Sequence, residues 1–364
     1  MKFMDLDGNL FTFVPNKKIP IYNWFYYKEG FSRDLVLNIL KKEKPSAVFD
    51  PFCGSGTTLL GAKELGIKST GMDVTPIAVF VSKVKTRNYN ADELKEYSKK
   101  IFENKFVKMK IPKLTKWFSK YTLEDVVFFR KILNTIEDET IHDFFKLALI
   151  NATMKCSYVF KDGSVLKVRR KNVPPLRLMY KRTIRKMIYD IKKLKLSKVV
   201  PNVMFGDARQ FELDENVDTI ITSPPYLNKI EYSKIYKIEN ELFFNESPRP
   251  PIRSFFGLRE PRTFKVKEIV GDYDYNVLAY FQDMYDSLKN MHKVLNDEGK
   301  VYMVVGDGMS GNEIVDVIGK IKDMSEKIGF NHEDTIIGNE RIATTPTRRR
   351  VGKLREGMII LRKS

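Results

Sequence analysis

Two segments of this chain combine residue types that can bind and react. The first, AVFDPFCGSGTTLLGAKELG (residues 47–66), places a carboxylate, Asp50, at the end of an apolar run. A Gly54-Ser55-Gly56 turn and a helical stretch from Thr57 follow it. Glycine lacks Cβ, so the backbone can turn tightly there and a ligand can come close. The helix start behind the turn offers unpaired N–H groups to a polar or anionic group. Spacing argues against two common ligands. The loop reads GSGTT rather than the GxGxxG of dinucleotide sites, and no lysine follows the glycines as in a nucleoside-triphosphate loop. Asp50 would repel a pyrophosphate and could pair with an ammonium. A second acid, Asp73 in STGMDV, closes the next strand, where a carboxylate can bond both hydroxyls of a ribose. A third, Asp207 in MFGDARQ, lies just past a later strand.

The second segment is DTIITSPPYLNKIEY, residues 218–232. An apolar strand delivers Thr222 and Ser223 to the C-terminal edge of a sheet, the edge at which open α/β sheets bind ligands. Pro224 and Pro225 hold the chain in a rigid extended turn and donate no backbone hydrogen bonds, so carbonyl oxygens there can face a donor. An aromatic ring, Tyr226, follows at once. Tyr232 and Tyr236 come soon after and suit either base stacking or a packed aromatic face.

Together these residues resemble the S-adenosylmethionine-dependent amino-methyltransferases of nucleic acids. DPFCGSGTT resembles their cofactor loop, and WFYYKEGFSRDLVLNIL (24–40), which includes Phe31 and Ser32, resembles the helix that closes over the methionine end of the cofactor. The resemblance implies that Asp50, Phe52, Gly54, Gly56 and Thr57 flank the methionine moiety, that Asp73 takes the ribose and that Asp207 takes the adenine amino group. SPPY resembles the motif of enzymes acting on the 4-amino group of cytosine; adenine- and guanine-specific relatives usually carry DPPY or NPPY. Ser223 Oγ and the Pro224 carbonyl would then accept the amine hydrogens, and Tyr226 would offer its face to a base extruded from the stack. The methyl sulfonium is already activated, so no protein nucleophile is required. Methylation at cytosine C5 would need a thiolate, commonly from a Pro-Cys pair, and neither Cys53 nor Cys156 follows a proline. The likeness covers roughly residues 20–88 and 200–364, including GKVYMVVGDG as a fifth strand and TPTRRRVGKLREGMIILRK as a terminal hairpin. Many cytosine-amino enzymes place SPPY before the glycine loop; here the loop comes first.

The elements that must position these residues can be read from the pattern. Strands are expected at Ala47–Phe49, Ser69–Val74, Asn202–Gly206, Val217–Thr222, Lys300–Val305 and Met358–Leu361, with a weaker one near Thr335–Gly338. Helices are expected from a Ser32 cap to before Pro45, over Thr57–Leu65, over Tyr280–Leu295 and over Glu313–Ile328. Strands alternating with helices predict an α/β fold, and the resemblance specifies a Rossmann-like class I methyltransferase sheet of about seven strands. Residues 1–88 and 200–364 would form the catalytic domain. Residues 89–199 would form a mainly helical basic insertion, and the Pro- and Arg-rich stretch 245–268 a mobile loop over the site.

Charge is uneven. Of a net +18 over 364 residues, residues 161–200 hold 14 Lys/Arg against two Asp, and residues 341–364 hold eight against one Glu. Such patches suit a polyanion, through phosphate contacts that release counterions. Lys167, Arg169, Arg170, Lys181, Arg182, Arg185, Lys186, Arg253, Arg348, Arg349 and Arg350 are the candidate contacts. DNA is the favoured partner and structured RNA the alternative. A non-catalytic binding module and a nicotinamide oxidoreductase are the competing readings. Two cysteines and three histidines predict no disulfide framework and no metal site. No apolar run of 18 residues predicts a membrane span, and MKFMDLDGNL does not read as a secretory signal, so a cytoplasmic protein is expected, with no obligate protein partner inferred.

Overall fold

In the computed structural model, residues 7–27, 30–162, 165–227, 231–244, 263–344, 347 and 349–364 are described. The strands in chain order are β1 (Ala47–Asp50), β2 (Lys68–Asp73), β3 (Val159–Asp162), β4 (Val165–Val168), β5 (Asn202–Phe205), β6 (Val217–Thr222), β7 (Leu295–Gly306), β8 (Gly308–Ser310), β9 (Glu313–Val315), β10 (Phe330–Thr344) and β11 (Arg350–Lys363). The helices are α1 (Arg33–Glu43), α2 (Thr57–Glu64), α3 (Pro76–Thr86), α4 (Ala91–Glu103), α5 (Lys120–Leu133), α6 (Glu139–Lys155), α7 (Leu176–Lys193), α8 (Tyr232–Ile235), α9 (Lys237–Phe243), α10 (Lys267–Val270), α11 (Tyr275–Val294) and α12 (Val317–Ile328).

Seven strands form one mixed sheet in the order β10-β11-β7-β6-β1-β2-β5. Five of them, β5, β2, β1, β6 and β7, are parallel; β11 runs antiparallel to β7 and to β10. This is the expected α/β sheet of about seven strands. The central strand β6 (VDTIIT), paired on both sides within the sheet, is buried along nearly its whole length. From β1 the chain proceeds outward through β2 to β5, and then returns to β6 on the other flank of β1. The two flanks therefore diverge beyond the C-terminal ends of β1 and β6, and that is where a crevice opens.

Local signals account for the elements at this crevice. The Ser32 hydroxyl accepts from Leu35 N at 3.2 Å and starts α1, whose Leu35, Val36, Leu37, Ile39 and Leu40 are all buried. The helix stops at Lys44, in a left-handed conformation one residue before Pro45. Gly56 precedes α2 at φ +76°, and a Cβ there would lie 2.9 Å from Ser82 Oγ, so glycine is needed both for conformation and for room.

Three expectations are corrected. The predicted helix over Glu313–Ile328 begins only at Val317, because Asp316 caps it by accepting from Gly319 N at 2.8 Å, while Glu313–Val315 pairs with β8 as a small hairpin. The helix expected from Tyr280 starts earlier, at Tyr275, where Asp274 accepts from Val277 N at 3.0 Å. The terminal strands are far longer than their apolar centres, and register explains where the excess goes. Glu356 of β11 pairs with Gly306 at the C-terminal end of β7, so Arg350–Arg355 and the partnering part of β10 project beyond the sheet on the crevice edge.

The insertion is helical through α4 to α7 and also contains a two-stranded ribbon, β3–β4, which was not expected. It does not have a core of its own. One apolar cluster runs from Ile21, Trp24 and Tyr27 through α2 and α3 into α4–α7 and on to α8 and α9. Trp24 Nε1 donates to Asp190 of α7 at 3.1 Å, and Arg87 pairs with Asp143 of α6 at 2.8 Å, which ties the insertion to the sheet. Of the stretch 245–268, residues 245–262 lie outside the described residues. Among the described residues no helix is long and apolar enough to cross a membrane.

Candidate active site at the sheet's switch point

The loop after β1 is built around a buried carboxylate, Asp50, and a half-buried one, Asp73. Asp50 accepts from Thr222 Oγ1 at 2.7 Å, from Thr58 Oγ1 at 2.7 Å and from Phe52 N at 3.1 Å. It thereby clamps the end of β1 to the end of β6 and to the start of α2. Burial pushes its carboxyl up to about 7, against the opposing effect of the three donors, with the neighbouring charge of Asp73 a smaller upward influence. Asp73 accepts from Gly54 N at 3.0 Å and from Thr75 N and Oγ1 at 2.8 and 2.7 Å, and burial raises its carboxyl too. Gly54, at φ +51°, packs against the Tyr27 ring, which a Cβ would approach at 3.0 Å. From behind, Ser82 Oγ donates to Gly54 O at 2.9 Å and Lys85 Nζ to Ser55 O at 3.1 Å. Lys85 is fully buried, and desolvation lowers its ammonium to about 7.

In front of this loop lies a cleft of about 760 Å³. It brings together nine of the residues expected from sequence: Phe31, Asp50, Phe52, Gly54, Thr57, Asp73, Asp207, Ser223 and Pro225. Three of these are carboxylates, and no lysine, arginine or histidine is among the described lining residues. An acidic, partly apolar cleft suits a cationic ligand carrying hydroxyls and excludes a phosphate-rich one. That set of acceptors fits S-adenosylmethionine, which carries an ammonium, a sulfonium and ribose hydroxyls. Asp207 lines the opposite side; Arg209 Nε donates to it at 3.0 Å, and Arg209 also reaches Asp283 at 3.2 Å.

Four expected residues lie elsewhere. Ser32 is fully buried and its hydroxyl is used as the α1 cap. Gly56 sits behind the loop against Ser82. Pro224 is buried. Tyr226 is 8% exposed and packs on Gly306 of β7, where a Cβ would come within 3.0 Å of its ring. It lines a separate cavity of about 340 Å³ with Asp307, Arg341, Leu354 and Arg355. The SPPY turn thus presents Ser223 and Pro225 to the cleft and Tyr226 to the neighbouring cavity.

The sequence reading gives no role of their own to Tyr27, Thr58 and Thr75 and names Thr222 only as a strand end, yet these four complete the site. Tyr27 stacks on Tyr232 and on Tyr236 at 5.1 Å between centroids in each case, so the aromatic run 24–27 was the legible signal. Tyr27 and Tyr232 both line the cleft.

The described basic candidates fall on α7, on and just after β4, and on the terminal hairpin. Lys181, Arg182 and Arg185 are exposed on one face of α7, and Lys167, Arg169 and Arg170 are exposed on β4 and just after it. Lys186 belongs to a structural cluster instead, 2.5 Å from the buried Asp190 and 2.7 Å from Asn23 Oδ1. Arg349 and Arg350 are exposed on the projecting end of the terminal hairpin. Arg253 and Arg348 lie outside the described residues. Among the described residues no group of three His, Cys, Asp or Glu side chains is placed to hold a metal ion.

Residues 217–364 match the family model described as DNA methylase, of N6 and N4 amino-methyltransferases. The chain is 30% identical over 277 residues to the type II methyltransferase M.BsoBI of Geobacillus stearothermophilus, covering 63% of this chain and 54% of that protein. It is 28% identical to M.AvaI of Nostoc over 64% of this chain and 56% of that one, and 23% identical to M.MjaII of Methanocaldococcus jannaschii over 77% and 71%. The chain therefore spans just over half the length of the first two relatives. Among solved structures, TrmN from Thermus thermophilus aligns at a TM-score of 0.34 and 11% identity, covering 91% of this chain and 49% of that one, too loose a likeness to carry an argument. S-adenosylmethionine is the cofactor that the family match supports, and residues 217–364 carry the likeness to the N6/N4 amino-methyltransferases.

Proposed function

We propose that this chain transfers a methyl group from S-adenosylmethionine to the exocyclic 4-amino group of cytosine in DNA. The observation that carries this reading is that Ser223, at the end of β6, lines the same cleft as Asp50 and Asp73. When bound, the cofactor supplies an electrophilic methyl group on a sulfonium; the chain's own residues do the rest. Asp50 and Asp73 would hold its ammonium and ribose, and Tyr27 and Phe31 would cover it from the N-terminal segment. An exocyclic amine is a poor nucleophile because its lone pair is delocalised into the base. Ser223 Oγ and the Pro224 carbonyl would accept its hydrogens, draw the nitrogen towards tetrahedral geometry and orient the lone pair at the methyl group. A serine, short and neutral, leaves space for a pyrimidine amine where adenine- and guanine-directed relatives usually place an acid or amide. Tyr226 and the cavity beside it would receive a base turned out of the duplex.

The basic faces of α7, of β4 and of the terminal hairpin support a polyanionic substrate, and the family description, DNA methylase, favours DNA. Labelled-methyl transfer to unmodified DNA and to structured RNA, run in parallel, tests the substrate class. Label entering DNA supports the reading; label entering RNA alone rejects it.

A further inference from the structure

The ribbon β3–β4 has two unlike faces. Val159, Lys161 and Leu166 turn inward: Val159 and Leu166 pack on the apolar cluster, and Lys161 Nζ lies 2.6 Å from Glu239 and 3.9 Å from the centre of the Tyr236 ring. The other face looks out. Phe160 is 57% exposed and Val165 54% exposed, and Phe160 pairs across the ribbon with the exposed Lys167. Directly after β4 come Arg169, Arg170 and Lys171, all exposed, and no acidic residue lies between Val165 and Lys171. A two-stranded ribbon is marginal by itself, and an outward phenylalanine adds nothing to holding it together. This one is anchored at its base, where Tyr158 N donates to Trp117 O at 2.8 Å and Arg169 N to Tyr158 O at 2.9 Å.

Its position matters as much as its composition. β4 packs against α8, the helix that follows the SPPY loop. Tyr232 and Tyr236 begin and end that short stretch, and both stack on Tyr27 at the cleft. The ribbon is thus attached to the helix that follows the SPPY turn, with an aromatic ring and a row of cations facing outward.

We infer that the outer face of β3–β4 is a duplex-DNA contact beside the base being methylated. Arg169, Arg170 and Lys171 bind backbone phosphates, and Phe160 packs against base faces opened when the target base leaves the stack. The inference rests on the DNA-methylation reading above and adds to it the element that meets the duplex. Apolar side chains play this wedge role in other proteins that open or bend DNA, and the charge of the flanking run matches a polyanion.

Phe160→Ala, Phe160→Trp and a triple variant Arg169→Gln, Arg170→Gln, Lys171→Gln test it. Each is measured for cofactor affinity by calorimetry, for binding to short fluorescent duplexes cut from unmodified plasmid DNA across a salt series, and for methyl transfer at sub-saturating DNA. Phe160→Ala should lower transfer about 5- to 150-fold, the range for losing one stacked base, with cofactor affinity unchanged. Phe160→Trp should retain most of it. The triple variant should flatten the salt dependence of binding by about 0.9 for each phosphate it no longer neutralises. Wild-type salt slope and transfer in both the alanine and triple variants would overturn the inference, as would equal losses in Phe160→Ala and Phe160→Trp. A failure of the underlying reading looks different, since wild-type chain would then place no label in DNA.

Discussion

The crevice edge of the sheet and the outer surface of the insertion hold their polar groups in opposite ways. At the crevice, Asp50 is buried and Asp73 half-buried, and each accepts three hydrogen bonds from backbone or threonine donors, so their geometry is set before any ligand arrives. On α7 the cations Lys181, Arg182 and Arg185 stand in solvent, held by the buried stripe of Thr183, Ile184, Met187 and Ile188 on the helix's other side. A reaction that needs atoms fixed within a fraction of an ångström uses the first arrangement. A search along a polyanion, in which many weak contacts exchange, uses the second. Substitutions in the two regions should therefore fail in different measurements.

The largest effect is expected at Ser223. Ser223→Ala should lower kcat by about 10²–10³, the scale for removing one preorganised hydrogen-bonding group at a reacting atom. Calorimetry should find cofactor affinity preserved. A parallel loss of cofactor affinity would make Ser223 part of the cofactor's binding surface rather than an acceptor for the reacting amine.

Asp73→Ala should weaken S-adenosylmethionine binding by about 1.5–3 kcal/mol, the range for hydrogen bonds to a charged group, because the ribose acceptor proposed above and the Gly54 and Thr75 anchors go together. DNA binding should keep its wild-type salt slope. Unchanged cofactor affinity in a calorimetric titration would remove Asp73 from the binding site.

Buried charge gives the crevice a pH signature that the insertion lacks. The Asp50 carboxyl is raised from its usual range to about 7, so its contribution to stability is present below about pH 4 and is lost as pH rises to 7. The Lys85 ammonium is lowered to about 7, so its contribution is present above about pH 10 and is lost as pH falls to 7. From these two groups the cofactor-free chain is least stable near pH 7. Thermal melts should show Asp50→Asn removing the acid limb and Lys85→Met the alkaline limb. Since an ammonium favours the ionised carboxylate, cofactor affinity should rise between pH 6 and 8 by at most about tenfold per unit. A flat profile would show that Asp50 does not meet that charge.

The smallest effect in any single measurement belongs to α7. Replacing Lys181, Arg182 and Arg185 by glutamine should reduce the salt slope of DNA binding by about 0.9 for each phosphate left without its cation. Thermal stability and cofactor affinity should stay as they are. An unchanged slope would make this face an ordinary solvated surface.

The same contrast decides what could be read from the chain. Val217–Thr222 is an almost fully buried strand, and its concentration of β-branched residues marked both its limits. Asp50 and Asp73 close strands and Ser223 follows one, so their meeting at one edge was legible. Thr58, Thr75 and Thr222 were not, because a threonine inside a motif carries no sign of which carboxylate it will serve. The ribbon β3–β4 had a signal in Asp162-Gly163 between Val159-Phe160 and Val165–Val168, but each arm is only four residues long and lies among strongly helical segments. The length of β10 and β11 was hidden because their projecting halves are polar and exposed, held by pairing with each other rather than by burial.

The central claim is that Ser223, on the cleft side of the SPPY turn, orients a cytosine amine. The direct measurement is nucleoside mass spectrometry of unmodified DNA after incubation with the wild-type chain and isotopically labelled S-adenosylmethionine. The account predicts label in 4-N-methylcytosine or its dimethyl form. Label found only in N6-methyladenine or 5-methylcytosine would contradict it.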